Sequence, residues 1–301
     1  MKKLVVTFPV LAGIMWGAVG VFTRTLGGYG MNSFTILEIR MLLGVVILFA
    51  GCMLVDRSLL RVRLKDAGIF LAGGLLGNFG LSYFYVEAIN RLSMAFAAVL
   101  LCTFPFFVML LSAVLFHEKI TWRKIGCLVL AFAGCVLVSG ILEKGNLTGA
   151  AANWTALGVL IGVIAAFCYA LYSIFSKMAR DRGYSPITIT FYFMLLVLLV
   201  LIPLTEWNLL SGFIREAPVT NGLFLVGHSL VTAVVPYVIY TYSMSFMDAG
   251  KASILASAEP VAAMVFGALL FSEMPTLLMV GGMLLTVAAI AILSLPEKRA
   301  D

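Results

Sequence analysis

The chain has 301 residues, of which 62% are hydrophobic and only 11% are charged. Soluble domains carry about 25% charged residues, so this composition excludes a water-soluble globular protein and predicts a polytopic protein surrounded by a lipid bilayer. The net charge of +6 does not indicate a nucleic-acid partner, because the distribution of the basic residues fits membrane topology instead.

Ten apolar segments are long enough to cross a bilayer as helices, which takes about 20 residues each. Helix is required because a backbone exposed to lipid must satisfy its own hydrogen bonds. The predicted fold class is therefore an all-α integral membrane protein with ten transmembrane helices. The segments lie near residues 6–26, 34–55, 67–88, 92–116, 121–142, 155–177, 187–206, 219–246, 250–272 and 275–295.

The lysines and arginines predict the orientation of these helices. One face carries fifteen of them: Lys2, Lys3, Arg57, Arg61, Arg63, Lys65, Lys119, Arg123, Lys124, Lys177, Arg180, Arg182, Lys251, Lys298 and Arg299. The opposite face carries Arg24, Arg91, Lys144 and Arg215. Because basic residues concentrate in cytoplasmic loops, we expect a multi-pass protein of the inner or plasma membrane with both termini in the cytoplasm.

The two halves of the chain share scarce residues at a fixed distance, which indicates an internal duplication. Four pairs lie 155 positions apart: Tyr85 and Tyr240, Pro105 and Pro260, Glu118 and Glu273, and Gly126 and Gly281. The predicted repeats are residues 1–144 and 154–301, joined by an external linker at 145–153. Since five helices is an odd number, the second repeat enters the membrane inverted, an arrangement suited to alternating access.

Ionisable and proline residues inside the spans are the first candidates for function. Glu259 is the most central charged residue, and such a group is expensive in lipid. It is a candidate for ion coupling in a cavity, or alternatively a protonated packing residue. Pro105 and Pro260 each remove a backbone hydrogen bond and are predicted to bend their helices as hinges.

Polar residues at helical spacing form two further candidate surfaces. Asn78, Ser82 and Tyr85 follow one stripe, and His228, Thr232, Pro236 and Tyr240 follow another. Such stripes face protein or water rather than lipid, so they line a substrate cavity or form hydrogen bonds between helices. His228 alone is more typical of a core histidine than of a proton relay. Trp16 and Tyr169 are candidates for an aromatic wall, and Glu38 is placed at the membrane interface.

Several segments resemble the EamA-type permeases of the drug/metabolite transporter superfamily. They are WGAVGVFTR from Trp16, ILEIRMLLGVVIL around Arg40, and YFYVEAINRLSMAFAAVLL followed by Pro105, Glu118 and Gly126. The resemblance implies ten helices in inverted repeats, cytoplasmic termini and a central cavity for small metabolites. Arg40 matches the arginine of that family, so it either binds a substrate carboxylate or serves a structural pairing role. Glu259, which stands where the first repeat has Phe104, departs from the pattern.

Motifs for catalysis are missing from the sequence. HEKIT is not a zinc-binding HExxH, two histidines are too few for a three-histidine site, and no phosphate-binding loop is present. We therefore expect no enzyme, no metal and no cofactor.

The predicted function is a secondary transporter for a small polar or zwitterionic metabolite, with amino acid export by alternating access and proton coupling as its specific form. The alternatives are a carrier for organic cations such as quaternary amines, held by Glu259 and aromatic rings, and a non-transporting membrane receptor. A monomer is favoured, because ten helices can enclose a cavity within one chain.

Overall fold

Helices form all the regular structure in the part of the chain that the computed structural model describes, which is residues 5–92, 94–142 and 155–295. This confirms the all-α fold class. The predicted external linker at 145–153 lies outside the described residues.

Ten long helices follow one another in the chain. They are α1 (Thr7–Gly28), α2 (Ser33–Val55), α3 (Leu64–Arg91), α4 (Phe96–Phe116), α5 (Trp122–Val138), α6 (Ala156–Asp181), α7 (Pro186–Leu204), α8 (Pro218–Ser243), α9 (Ala249–Phe271) and α10 (Leu277–Ser294). Within the described ranges, nine of them are long and apolar enough to cross a membrane. The remaining helix, α5, has 17 residues, the lower end of the spanning range. A short helix, Trp207–Glu216, precedes α8 and was not predicted.

The two repeats begin and end corresponding helices in the same way. Thr121 caps α5 by accepting a hydrogen bond from the backbone of Lys124, and Thr276 caps α10 by accepting one from Met279. Before these caps, α4 ends at His117 and α9 at Ser272, with φ of 55° and 56°. A left-handed residue at the same place in both repeats is a local sign of the duplication, since residues other than glycine rarely adopt it.

Contacts between the repeats occur in exchanged pairs. Helix α1 packs against α9, and its counterpart α6 packs against α4; likewise α3 packs against α6 and α8 against α1. Helix α5 packs along its own counterpart α10, and α2 along α7. This exchange is what a two-fold relation between repeats produces, and it brings α1, α6, α3, α8, α4 and α9 to the middle of the molecule.

The central helices of each repeat depart from regular α-helix at equivalent places. Wider π-helical turns occupy Ala72–Phe79 in α3 and Leu230–Val234 in α8. Helices α4 and α9 are each interrupted, and their second segments begin at Phe104 and Ala258. Pro105 and Pro260 lie at the start of these second segments, where a missing backbone N–H costs nothing.

Glycines hold α5 and α10 together. A Cβ atom placed on Gly134 would overlap Thr286 Oγ1 and would lie 2.7 Å from the carbonyl oxygen of Gly282. Helices in lipid associate through such close backbone contact rather than through the hydrophobic effect. The neighbouring repeat anchor Gly281 takes no part in this contact, because a Cβ placed on Gly281 would have nothing within 4 Å.

Replacing Gly134 with leucine is expected to lower the melting temperature of the detergent-solubilised protein by several degrees. The added side chain cannot fit without separating α5 from α10, and overpacking costs about 1–3 kcal/mol. Gly126→Leu is the matched control, because Gly126 lies on the same helix with open space around it. Equal melting temperatures for the two variants would contradict the packing assigned to Gly134.

Candidate functional site

Aromatic rings from α1, α6 and α8 meet in the middle of the molecule around Trp16. The ring of Trp16 lies 6.0 Å from that of Tyr169, 5.3 Å from Tyr237 and 5.2 Å from Tyr240. Trp16 is 5% exposed and its Nε1–H has no partner among the described residues. Trp16 lies on α1 and Tyr169 on α6, the first helices of the two repeats, so this aromatic cluster lies where the two repeats face each other.

The interruptions of α4 and α9 place two different residues beside this aromatic cluster. Phe104 stacks on Tyr169 with ring centroids 4.0 Å apart. Its counterpart in the second repeat is Glu259, whose backbone lies against α1: a Cβ on Gly17 would approach the Glu259 carbonyl oxygen to 2.7 Å. Glu259 lies in the first turn of the second segment of α9, where the helix dipole favours a negative charge.

The Glu259 carboxylate is half-buried and accepts no hydrogen bond from any described residue. It interacts electrostatically with Arg40, and the tyrosines Tyr85, Tyr169 and Tyr237 lie within its electrostatic range. A carboxylate without a direct partner among the described residues is available for a ligand.

Arg40 comes to the same region from α2. It is 9% exposed, and its Nε has no partner among the residues described. The hydroxyl of Ser229 donates to the Arg40 carbonyl oxygen at 2.8 Å, which fixes this turn of α2 against α8. Because a buried guanidinium is expensive without a partner, Arg40 is also available for an anionic group.

The two polar stripes differ in what their side chains contact. Asn78 Oδ1 accepts a hydrogen bond from the Tyr237 hydroxyl at 3.3 Å. The hydroxyls of Ser82 and Thr232 donate to carbonyl oxygens of their own helices, at Asn78 and His228. These two hydroxyls are therefore satisfied within their own helices, and lining of an aqueous cavity by the stripes stays a prediction.

His228 and Tyr240 complete the second stripe. His228 is 1% exposed, stacks on Phe22 at 4.8 Å, and has no hydrogen-bond partner for either ring nitrogen within the described segments. The Tyr240 hydroxyl lies 3.0 Å from the Ser173 hydroxyl. Both residues are buried, but only Tyr240 belongs to the aromatic cluster.

The C-terminal end of α4 and the start of α9 are joined on one face of the molecule. This face, which we call the basic face, carries the described basic residues of the loops after α2, α4 and α6: Arg57, Arg61, Arg63, Lys65, Lys119, Arg123, Arg180 and Arg182. Glu118 follows α4 and accepts hydrogen bonds from the backbone N–H groups of Ala249 and Gly250, at 2.9 and 3.3 Å, at the start of α9. Beside it, Lys124 Nζ lies 2.5 Å from Asp248 Oδ2. The repeat counterpart Glu273 instead pairs with Arg24 on the opposite face.

Three features of the site were not predicted. Tyr237 contacts Trp16 and was not part of the predicted stripe, which contained its neighbour Pro236. Phe104 was noted only as a difference between repeats. Glu38 was placed at the interface and is fully buried, with neither carboxylate oxygen bonded to a described residue.

No group of three or more metal-ligating side chains occurs among residues 5–92, 94–142 and 155–295.

Comparison with known proteins identifies the family. The model of the EamA-like transporter family matches twice, at residues 3–140 and 156–295, which together cover nearly the whole chain. The chain belongs to the EamA-like transporter family. The resemblance stated from the sequence is confirmed, and the two matches follow the two repeats.

Individual relatives agree with this membership. An uncharacterized transporter of Archaeoglobus fulgidus is 30% identical over 287 residues, which is 94% of each chain. The uncharacterized transporter YdfC of Bacillus subtilis is 24% identical over 96% of this chain and 90% of its own. The pseudopaline exporter CntI of Pseudomonas aeruginosa is 29% identical over 77% of each chain. A solved crystal structure covers 97% of this chain with a TM-score of 0.79 at 18% identity, which shows a shared fold.

Membership in the EamA-like family makes the protein a multi-pass membrane transporter with a small-molecule substrate, and it indicates a transporter rather than an enzyme. The central position of Arg40, Glu259 and the aromatic cluster, at the interface of the two repeats, is where inverted-repeat transporters place their substrates.

Proposed function

We propose that this EamA-like transporter moves a small zwitterionic metabolite, an amino acid, out of the cell across the plasma membrane by alternating access. The observation that carries the proposal is the combination of Arg40 and Glu259. They are opposite charges within electrostatic range of each other on membrane-spanning helices of different repeats, and neither is neutralised by a direct ion pair with a described residue.

The chemistry of an amino acid matches this pair of charges. Its carboxylate would accept hydrogen bonds from the planar guanidinium of Arg40, which presents a fork of donors. Its ammonium group would lie between the Glu259 carboxylate and the faces of the aromatic cluster, which attract cations. Each of the two charges then has a partner only when substrate is bound, which favours the substrate over water in the site.

The contacts between α4 and α9 support the alternating-access part of the proposal. Glu118 joins them on the basic face, while its counterpart Glu273 pairs with Arg24 on the opposite face. In the alternative state, each repeat would adopt the conformation that the other repeat has in this structure. The contact between Glu118 and the start of α9 would then break, and the corresponding contact between Glu273 and the start of α4 would form. The interruptions before Pro105 and Pro260 are the hinges that this exchange uses.

Proton coupling is assigned to Glu259. Its repeat counterpart is a phenylalanine, so the carboxyl group has no symmetry partner and serves the coupling by itself. A carboxyl group that is exposed alternately to the two sides can carry a proton one way while substrate moves the other way.

A cation carrier is the second candidate. The specific observation for it is that Glu259 lies against α1, which carries Trp16, and within electrostatic range of Tyr169 and Tyr237. One carboxylate among several rings suits a quaternary amine. In that case Arg40 would be a structural residue.

Transport by purified protein in liposomes tests the proposal. Vesicles would be loaded with a mixture of amino acids, and counterflow of radiolabelled compounds measured in three classes: amino acids, the matching amides that lack the carboxylate, and the matching 2-hydroxy acids that lack the ammonium group. We expect counterflow for one or more amino acids and at least a tenfold lower rate for both analogues. Rapid flux of the amide and of choline, with none of the amino acids, would establish the cation carrier instead.

A further inference from the structure

The basic face contains a cavity of about 620 Å³ that lies away from the central site. It is formed where the loop between α2 and α3 meets the turn between α6 and α7, and so it lies between the two repeats. Four arginines line it: Arg61 and Arg63 from the first loop, and Arg180 and Arg182 from the second.

Two of these arginines are held by the protein and two are not. Arg182 pairs with Asp66 at 2.7 Å, and Arg180 donates to the Ser245 hydroxyl. The guanidinium groups of Arg61 and Arg63 are exposed and pair with no carboxylate in the described segments. The lining itself contains four arginines and no carboxylate. Asp56 and Asp181 lie within electrostatic range of Arg61 and Arg180, but neither lines the cavity, so an anion inside it would meet positive charge.

The walls of the cavity are fixed by hydrogen bonds between the repeats. The Thr188 hydroxyl donates to the Leu59 carbonyl oxygen and the Tyr192 hydroxyl to that of Leu60, both at 2.6 Å. The Tyr184 hydroxyl donates to Asp66 at 2.7 Å and accepts from the backbone N–H of Arg63 at 3.1 Å. Burial and the Asp66 carboxylate raise the pKa of Tyr184, so the phenol stays neutral and this bond persists. The arginines are therefore presented from a built site.

The position of the cavity indicates an occupant from the lipid bilayer. Helix α6 ends at Asp181 and α7 begins at Pro186, so the cavity lies at the level of the helix ends, where lipid headgroups lie. Leu59, Val62 and the half-exposed ring of Tyr242 also line it, which gives an acyl chain an apolar wall. The N-terminus of α7 contributes a further positive dipole.

The opposite face has a cavity of different character. It holds about 500 Å³ and follows α7, the repeat counterpart of α2, and its lining includes Glu206 and Trp207 but no arginine. The cluster of four arginines is thus specific to the basic face. Concentration of basic residues in cytoplasmic loops accounts for the sign of the charge, but not for its convergence on one cavity between the repeats.

We propose that this cavity binds the phosphate of an anionic phospholipid headgroup, with Arg61 and Arg63 as its principal ligands. Basic pockets between transmembrane helices on the cytoplasmic side take lipid phosphates. Because the cavity joins loops of both repeats, the bound lipid would stabilise the arrangement in which they are packed together on this face.

The test measures thermal stability of the full chain in detergent during titration with dioctanoyl phosphatidylglycerol, dioctanoyl phosphatidylcholine or inorganic phosphate. The variant is Arg61→Gln with Arg63→Gln. The matched control is Arg57→Gln with Lys65→Gln, which removes two charges from the same loop outside the cavity lining. We expect phosphatidylglycerol to stabilise the wild type and the control at similar concentrations, and the variant only at about ten- to thirty-fold higher concentration.

Each other outcome overturns the proposal. Equal responses of variant and control would mean that charge on this face, rather than the cavity, attracts the lipid. Equal stabilisation by phosphatidylcholine would mean that the headgroup charge is not recognised. Stabilisation by inorganic phosphate alone, lost in the variant, would assign the cavity to a soluble anion instead of a lipid. If the variant does not fold in detergent, Arg61→Lys with Arg63→Lys keeps the charge and should retain part of the lipid response, whereas no response would contradict the proposal.

Discussion

Arg40→Gln is expected to lower the rate of amino acid counterflow by at least about thirty-fold, with folding intact. Truncating one partner of a buried charge pair costs about 2–5 kcal/mol, and every 1.4 kcal/mol is a factor of ten. Glutamine keeps much of the side-chain volume but offers a substrate carboxylate no charge and no fork of donors. Arg40→Lys should recover part of the activity, because a lysine supplies the charge without the fork.

The matched control for this variant is Arg91→Gln. Arg91 is exposed and pairs with Glu87 one turn away on α3, and such surface pairs contribute little. Initial rates in proteoliposomes, normalised to reconstituted protein, measure both variants. Loss of counterflow in Arg91→Gln as well, or normal counterflow in Arg40→Gln, would contradict the assignment of Arg40 to the substrate site.

Glu259→Gln is expected to abolish accumulation of substrate driven by a pH gradient while sparing exchange at equal concentrations. One proton per substrate supports about tenfold accumulation for each pH unit, and a glutamine cannot carry that proton. The accumulation ratio should therefore fall to about one. Exchange continues because the site can still alternate with substrate bound.

Two results would contradict the proton-coupling role assigned to Glu259. Loss of exchange together with accumulation would indicate that the carboxylate holds the substrate ammonium group directly. Unchanged rates and unchanged pH dependence would make it a structural residue. Glu87→Gln, which alters a carboxylate at the end of α3 away from the aromatic cluster, is the matched control and should behave as the wild type in both assays.

The helices could be predicted from the sequence with small errors at their ends, because an apolar run of about 20 residues has few alternatives in lipid. The repeat followed from scarce residues such as Pro105 and Pro260. Both predictions rest on patterns that extend over whole helices. The rings of Trp16 and Tyr169 lie 6.0 Å apart, and their role as the wall of a cavity stays a prediction.

The failures concern places where a helix departs from regular geometry or where distant segments meet. The π-helical turn in α8 is a backbone feature without a sequence signature. Tyr237 was missed because the predicted stripe followed a strict four-residue spacing, whereas Tyr237 lies three residues before Tyr240 and also contacts Trp16. The cap that Glu118 provides for α9 joins residues 131 positions apart. The cavity at the basic face combines two loops, and a count of charges on that face says nothing about their convergence.

The most direct test of the zwitterion site is a binding cycle that crosses the substrate with Arg40. Equilibrium binding would be measured for the amino acid with the highest counterflow and for its amide, each with the wild type and with Arg40→Gln. If the guanidinium binds the substrate carboxylate, Arg40→Gln lowers the affinity for the amino acid by at least about thirty-fold. The same substitution changes the affinity for the amide by less than about threefold. Equal losses for the amino acid and its amide would contradict the account, because Arg40 would then act on the fold of the site and not on the substrate.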